Sequence, residues 1–191
     1  NDMKSLIKII AFTCLLCSFS YAQEQTSEEL LLAQIEALNQ LNTQLNEDYN
    51  SISIINQIGV QNSGIIEQTN AANIQPGNAA IINQAGLQNN ASVEQNGNDI
   101  LTEVLQVGDG NNYEGSADGV DISTMVHQFG ADNNVEQELT GANLDYGIFQ
   151  FGVSNEVIQI ENGTGQLGPA YKVTQFGNGL KISITNGTIK Q

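Results

Sequence analysis

One five-residue pattern occurs six times between residues 55 and 177, and it constrains the fold more than any other feature of the chain. Each copy consists of Ile or Val, any residue, Gln, any residue and Gly. From the second glutamine to the fifth, the spacing is 22 residues each time. A fixed period of this length is typical of stacked repeat architectures. The glutamines are Gln57, Gln84, Gln106, Gln128, Gln150 and Gln175.

Each glutamine is followed by residues that suit a chain reversal. A glycine comes two residues later in all six copies, and in five of them an asparagine comes three residues after the glycine, whereas Leu180 stands there in the sixth. Both residue types tolerate positive φ, and Asn can bond its own backbone in a tight arc. The predicted arc residues are Gly59, Asn62, Gly86, Asn89, Gly108, Asn111, Gly130, Asn133, Gly152, Asn155 and Gly177.

Around each glutamine the residues alternate with a period of two, which indicates a β-strand. A second, weaker strand follows the arc, with Gln68 placed 11 residues after Gln57 and Gln95 placed 11 after Gln84. Each repeat is therefore strand, arc, strand, arc. We predict an all-β chain whose residues 51–191 form a β-solenoid of two parallel, in-register sheets, with six repeats of about 22 residues.

In-register stacking explains why Gln occupies a position where a core would otherwise need Ile. Neighbouring strands lie about 4.8 Å apart, so identical side chains meet above and below one another. A Gln amide can then donate to the Gln carbonyl of the next repeat, which satisfies a buried polar group. We expect the six glutamines to form one hydrogen-bonded ladder, with Gln68 and Gln95 as the counterparts in the second sheet.

The second strands lose their glutamine in the later repeats, where Ala117, Leu139, Glu161 and Asn186 take its place. In repeats four and five, Gln137 and Gln159 come two residues early, which suggests a two-residue slip of register that keeps the same face inward. We expect the first sheet to be the more rigid one.

The residues before the repeats are of two kinds. Residues 1–22 resemble a signal peptide, with Lys4 and Lys8 before an apolar stretch and a small-residue cleavage site at its end. Both cysteines lie within it, so we expect an exported mature protein without disulfides. Residues 23–50 form an amphipathic segment, helical or disordered, with apolar residues at helical spacing. Those residues are Leu31, Ile35, Leu38, Leu41 and Leu45.

The charge of the chain excludes one large class of partners. The formal net charge is −16, and no Arg occurs. The lysines after residue 22 all fall in the last repeat, at Lys172, Lys181 and Lys190. Nucleic-acid binding depends on neutralising phosphates, so we expect no nucleic-acid partner.

The residue after each pattern glutamine faces outward, and in the last three such strands it is Phe129, Phe151 and Phe176. Exposed apolar stripes commonly contact a partner or another filament, although stacking stability alone also explains this one.

These repeats resemble the curlin repeat family, the secreted subunits of bacterial curli fibres. The matching features are the strand with Gln, the Gly, the Asn and the second strand with Gln, most closely in residues 55–68, 82–95 and 104–111. The resemblance implies a subunit that polymerises end to end into an extracellular amyloid fibre at the cell surface, a fimbrium that supports biofilm matrix, adhesion and colonisation. Three residues depart from the family pattern: Ala117, Glu161 and Tyr113, the last in a place that is small in the first two repeats.

The resemblance also implies the partners. These are the chain itself, related curlin subunits, and the outer-membrane curli secretion and nucleation machinery, with no cofactor and no small-molecule substrate. The family contains a minor subunit that nucleates polymerisation and has a basic last repeat, which Lys172, Lys181 and Lys190 resemble. Both roles, fibre body and nucleator, stay open.

Two other classes of function are weaker alternatives. A calcium- or ligand-binding β-roll would use Asp109, Asp118, Asp121 and Asp132, but these do not recur at a constant offset and the Gly-Gly-x-Gly-x-Asp pattern is absent. A solenoid enzyme would need paired carboxylates or a nucleophile beside a base. His127 is the single histidine and has no recurring partner, so we expect no enzymatic activity.

Overall fold

The computed structural model describes residues 51–70, 77–161, 170–185 and 187. The predicted signal peptide, the 23–50 segment and Lys190 lie outside these residues. The described part is made of fourteen strands, numbered in chain order, and contains no helix. None of its segments is therefore a helix able to cross a membrane.

The first sheet contains the strands that carry the five-residue pattern. Five of these strands have ten residues and the last has nine, and they stack in chain order. They are β1 (Ser51–Val60), β3 (Asn78–Leu87), β5 (Ile100–Asp109), β8 (Ile122–Ala131), β11 (Leu144–Val153) and β13 (Ala170–Asn178).

The second sheet runs beside the first in the same order and is shorter. Its first two strands have six residues and the other four have three. They are β2 (Ser63–Gln68), β4 (Asn90–Gln95), β6 (Asn112–Glu114), β9 (Asn134–Glu136), β12 (Glu156–Ile158) and β14 (Lys181–Ser183). A small third sheet pairs β7 (Asp118–Gly119) with β10 (Thr140–Gly141) at the second arc.

All pairings are parallel and in register. Gln57 lies beside Gln84, and this alignment continues strand by strand to Gln175. The predicted β-solenoid is thereby confirmed.

The core lies between the two six-stranded sheets. The apolar residue that opens each pattern points inward, and in the four middle strands it is 0% exposed: Ile82, Val104, Val126 and Ile148. The second sheet contributes Ala91, Val93, Tyr113, Val135 and Val157 to the same cluster. The outward side chains alternate with these residues, and this alternation fixes which side chains are available for contact outside the stack.

The expected two-residue slip in repeats four and five is wrong. Val135 pairs with Tyr113 on one side and with Val157 on the other, so the backbone register continues unbroken through the second sheet. Gln137 follows Val135 by two residues, as Val93 follows Ala91. The glutamine therefore occupies an inward place that is apolar in the second repeat, and the side chain changes while the backbone does not shift.

Tyr113 shows how the core absorbs a large residue where the family pattern is small. Its side chain is 1% exposed, and its hydroxyl donates to Oε1 of Gln137 at 2.8 Å. A Cβ on Gly115 would lie 2.4 Å from that hydroxyl, so the glycine leaves room for the phenol. Burial raises the pKa of Tyr113 well above its ordinary value.

Ala117 and Leu139 stand where the pattern predicts Gln, and both are buried. They belong to a second apolar cluster with Ile100, Ile122, Leu144 and Tyr146. The apolar replacements therefore continue the core beyond the ends of the shortened β6 and β9.

Candidate functional site

The structure joins the six pattern glutamines into one chain of hydrogen bonds. Nε2 of each glutamine donates to Oε1 of the next, at distances from 2.7 to 2.9 Å. The four middle glutamines are at most 1% exposed. The amide groups therefore satisfy one another inside the core.

The same glutamines also tie the two sheets together. Nε2 of Gln106 donates to the Asn90 carbonyl at 2.8 Å, and Nε2 of Gln150 donates to the Asn134 carbonyl at 3.0 Å. One amide therefore holds the glutamine of the next repeat and the second-sheet strand of the preceding repeat. This double role explains why an apolar residue of similar size cannot replace it.

The ladder has a direction. Each Nε2 donates in the direction from Gln57 to Gln175. Oε1 of Gln57 therefore points out of the end of the stack that β1 forms. At the other end, Nε2 of Gln175 donates to the carbonyls of Glu156 and Leu180. The two ends of the ladder are thus chemically different.

The arc asparagines form a second buried ladder. Nδ2 of Asn111 donates to Oδ1 of Asn89 at 3.0 Å and to the Gly130 carbonyl at 3.0 Å. The same contacts link Asn62, Asn89, Asn111, Asn133 and Asn155 in succession. Positive φ falls on the residue before each asparagine and on the pattern glycine, and the asparagine itself does not adopt it.

The pattern glycines allow adjacent arcs to approach closely. Their φ values lie between 116° and 137°. A Cβ on Gly86 would lie 2.0 Å from the carbonyl oxygen of Gly108. Gly177 differs, because the nearest atoms to its added Cβ belong to Leu180, at 3.6 Å or more.

In the second sheet, Gln68 and Gln95 are aligned but their amides do not form a ladder. Oε1 of Gln68 accepts from the Ser53 hydroxyl at 3.0 Å, and its Nε2 donates to the Ile52 carbonyl at 3.1 Å. Ala80 replaces Ser53 in the next repeat, and neither amide atom of the buried Gln95 has a hydrogen-bond partner among the described residues. The hydroxyl that would orient Gln95 is missing.

A third ladder lies on the outer face of the second sheet and was not predicted. Nδ2 of Asn90 donates to Asn112, and Nδ2 of Asn112 donates to Asn134, both at 2.8 Å. The signal in the sequence is the Asn-Asn pair that recurs at residues 89–90, 111–112 and 133–134.

The predicted aromatic stripe lies on the outer face of the first sheet. Phe129 stacks on Phe151 with ring centroids 5.2 Å apart, and Phe151 stacks on Phe176 at 4.7 Å. Phe176 is 72% exposed. Beside the stripe, the ring of Phe149 contacts His127 at 5.1 Å, and Nζ of Lys172 lies 4.0 Å from the Phe149 centroid.

Two of the three lysines of the last repeat lie on its two strands. Lys172 is on β13, and Nζ of Lys181 on β14 lies 2.5 Å from a carboxylate oxygen of Glu156. They project from different sheets, so the described part of the last repeat has one positive charge on each side.

Glu161 stands in the row of Gln68 and Gln95 and is 3% exposed. Across the core it faces Tyr146 and Tyr171. These tyrosines occupy the position that Thr102 and Thr124 have in the two preceding repeats. Burial and the negative charge of Glu161 raise the pKa of Tyr171 to about 12, and burial together with the same carboxylate raises the pKa of Tyr146 further.

The aspartates considered as calcium ligands fall at two different arcs. Asp109 and Asp132 are in or next to the first arc, whereas Asp118 and Asp121 are at the second. Within residues 51–70, 77–161, 170–185 and 187, no three His, Cys, Asp or Glu side chains are grouped as metal ligands. Asp99 lies beside Asp121, and burial followed by the Asp121 charge raises the pKa of Asp99.

The first strand exposes a residue that every middle repeat buries. Ile55 is 41% exposed, although its aligned residues Ile82 and Val104 are 0% exposed. Ser53 and Gln57 of the same strand are exposed as well, whereas the aligned Ala80 and Gln84 are buried. This end of the stack therefore presents core positions to solvent.

No protein-family model, curated protein or solved structure matches the chain.

Proposed function

We propose that this chain is a self-assembling structural subunit of an extracellular, curli-type amyloid fibre that supports biofilm matrix, adhesion and surface colonisation. The observation that carries the proposal is the exposure of Ile55, a core residue by its position and its alignment with Ile82. Burying a side chain of this size contributes roughly 1.5 to 3 kcal/mol, so an added repeat on this end stabilises the stack.

The last repeat supplies a matching partner for the first. Both contain the same pattern, with Gln57 and Gly59 in one and Gln175 and Gly177 in the other. Placed below β13 of another copy, β1 continues the ladder in its own direction, because Nε2 of Gln175 is the donor end and Oε1 of Gln57 is an acceptor. An unpaired parallel edge of this kind templates the addition of strands.

The sequence supports the remaining parts of the proposal. Residues 1–22 direct export, and the partners are other copies of the chain, related curlin subunits and the outer-membrane secretion and nucleation machinery. The role is structural, with neither a cofactor nor a catalytic step. It follows that the residues that matter most for function are those of the three ladders and of the two end strands.

Replacing Gly177 with Ala tests the joint. Within one chain the added methyl group meets Leu180 at 3.6 Å, whereas in the joint it meets the carbonyl of Gly59 from the next copy, as Gly86 would meet Gly108 at 2.0 Å. Ala at this φ of 137° costs some stability, so circular dichroism first checks the fold of the variant. We expect a folded variant that has lost fibre elongation in a seeded growth assay. Gly179→Ala is the control and should elongate normally, because its φ is also positive, at 67°, and its added Cβ has nothing within 4 Å. Normal elongation of Gly177→Ala would contradict this joint.

The second candidate role is that of the minor subunit that nucleates polymerisation. Lys172 and Lys181 on the two strands of the last repeat favour it, as does the short second sheet. A seeding assay separates the roles: the protein is added at a small fraction to a related subunit and the lag time is measured. A shortened lag without long fibres of the chain alone supports nucleation, whereas long fibres of the chain alone support the body role.

A further inference from the structure

The outer face of the first sheet carries charges in an order that is complementary to itself. One row across the last four strands contains Glu103, Met125, Gly147 and Lys172 in succession. The acidic residue is at one end of the row and the basic residue at the other. A two-fold axis between the second and third of these strands places Glu103 of one copy opposite Lys172 of another, and the reverse.

From this geometry we propose that two copies pair laterally through the outer faces of their first sheets, with the stack axes antiparallel. The pairing is isologous, and its two-fold axis runs along the strands between β8 and β11. Interfaces of this kind are self-complementary, since each contact occurs twice. The partner is a second copy of this chain, and the inference does not depend on end-to-end growth.

The other rows of the face agree with the same axis. Leu101, Ser123 and Asp145 lie in one such row. The axis places Ser123 of one copy opposite Asp145 of the other, so that a hydroxyl faces a carboxylate. In the aromatic row it places Phe129 opposite Phe151. No two like charges meet in these rows.

The middle of the interface is apolar and aromatic. Met125 is 39% exposed and faces Gly147 of the other copy, where the Phe149 ring lies over the glycine, 2.7 Å from the position of an added Cβ. A methionine sulfur beside an aromatic ring is a favourable contact. His127 faces the same ring, as it does within its own chain. The charged residues therefore set the register at the rim, and the aromatic residues supply the buried area.

The second sheet does not suit such pairing. Its outer face carries Glu67 beside Glu94, and Glu136 on β9. Acidic side chains at this density repel an identical face. The choice of the first sheet therefore follows from charge as well as from the exposed aromatic residues.

Zero-length carbodiimide cross-linking of the unmodified full chain tests the pairing. Glu103 and Lys172 are three strands apart in one chain, about 14 Å at the usual strand spacing, so a direct amide between them must join two copies. In an equal mixture of unlabelled and ¹⁵N-labelled protein, we expect Glu103–Lys172 peptides of mixed isotope. The Glu156–Lys181 pair at 2.5 Å is the internal control and should give unmixed peptides. Unmixed peptides alone would overturn the proposal.

A charge exchange gives a second test. We expect Glu103→Lys and Lys172→Glu each to weaken dimerisation about tenfold, because each places two like-charged pairs in the interface. The double variant should restore it, and Lys181→Glu on the other sheet should leave it unchanged. Sedimentation of these variants in the Gly177→Ala background measures dimerisation without end-to-end growth. Failure of the double variant to recover would contradict the antiparallel register.

The outcomes keep the two proposals distinct. Fibres of single width without the Glu103–Lys172 cross-link would overturn lateral pairing and leave the fibre function intact. Dimers with that cross-link in a chain that never elongates would overturn the fibre function and leave the pairing intact.

Discussion

Nε2 of Gln106 lies 2.8 Å from Oε1 of Gln128, although 22 residues separate them in the chain. Each of these amides is fully buried, and each belongs to a ladder that crosses the whole stack. The period of the sequence thus has a direct physical meaning, because it is the length of chain needed to bring one amide back above another.

Replacing Gln128 with Leu should destabilise the fold by about 3 kcal/mol, since the buried donor of Gln106 and the buried acceptor of Gln150 both lose a partner. Urea unfolding of the monomer measures the loss. Asn90→Ala removes one bond of the solvent-exposed ladder and should cost less than about 1 kcal/mol. Equal losses in the two variants would contradict the importance of burial.

Gly108→Ala should prevent stable folding, because the added Cβ would lie 1.9 Å from the Gly130 carbonyl oxygen and the backbone has φ of 118°. Far-ultraviolet circular dichroism of the purified protein is the measurement. Gly179→Ala is the control and should keep the native spectrum, because its φ is also positive, at 67°, but its added Cβ has nothing within 4 Å. A native spectrum for Gly108→Ala would show that adjacent arcs are not in close contact.

Asp99→Asn should increase stability at neutral pH by less than about 1 kcal/mol. The pKa of Asp99 is raised in the folded state, so its contribution to stability is present below its ordinary pKa of 3.8 and is lost as the pH rises through the folded value. Asn removes the repulsion from Asp121 and suits the left-handed φ of 60°. Thermal unfolding at pH 7 measures the gain, with the exposed Asp145→Asn as control. A loss of stability in Asp99→Asn would contradict the prediction.

The fold should lose stability between about pH 10 and pH 12, because the pKa of Tyr171 is raised from 10.0 to about 12. A raised pKa favours the neutral phenol in the folded state, so the contribution is complete below pH 10 and disappears as the pH passes the folded value. Glu161→Gln should move the pKa of Tyr171 back toward its usual range. Absorbance of tyrosinate during alkaline titration detects this, and an unchanged titration curve would show that Glu161 does not act on Tyr171.

The first sheet could be predicted almost completely from the sequence. Its strands contain the repeated pattern, and one position, such as that of Gln106, specifies spacing, face and register together. The register of the second sheet is harder to predict, because the glutamine that marks its first two strands is replaced in the later repeats. Val135 and Gln137 looked displaced, but the aligned asparagines of the arc hold the backbone in register and only the side chains change.

Other features depend on contacts that a period does not reveal. The Tyr113 side chain extends along the strand into the space beside Gly115, the next inward residue, and a repeat period does not predict this contact. The Gln95 amide has no hydrogen-bond partner in the part of the chain that the structure describes, because Ala80 replaces Ser53 in the facing sheet. The outward ladder of Asn90 and Asn112 was visible as a repeated doublet, but a doublet alone does not distinguish an arc residue from a strand residue.

Fibre diffraction of the purified mature chain, after incubation at assembly concentration, tests the central claim most directly. Stacking of Gln175 on Gln57 between copies predicts fibres with a meridional reflection at about 4.8 Å, the spacing of strands along the stack. A chain that stays monomeric for days and gives no such reflection would contradict the account.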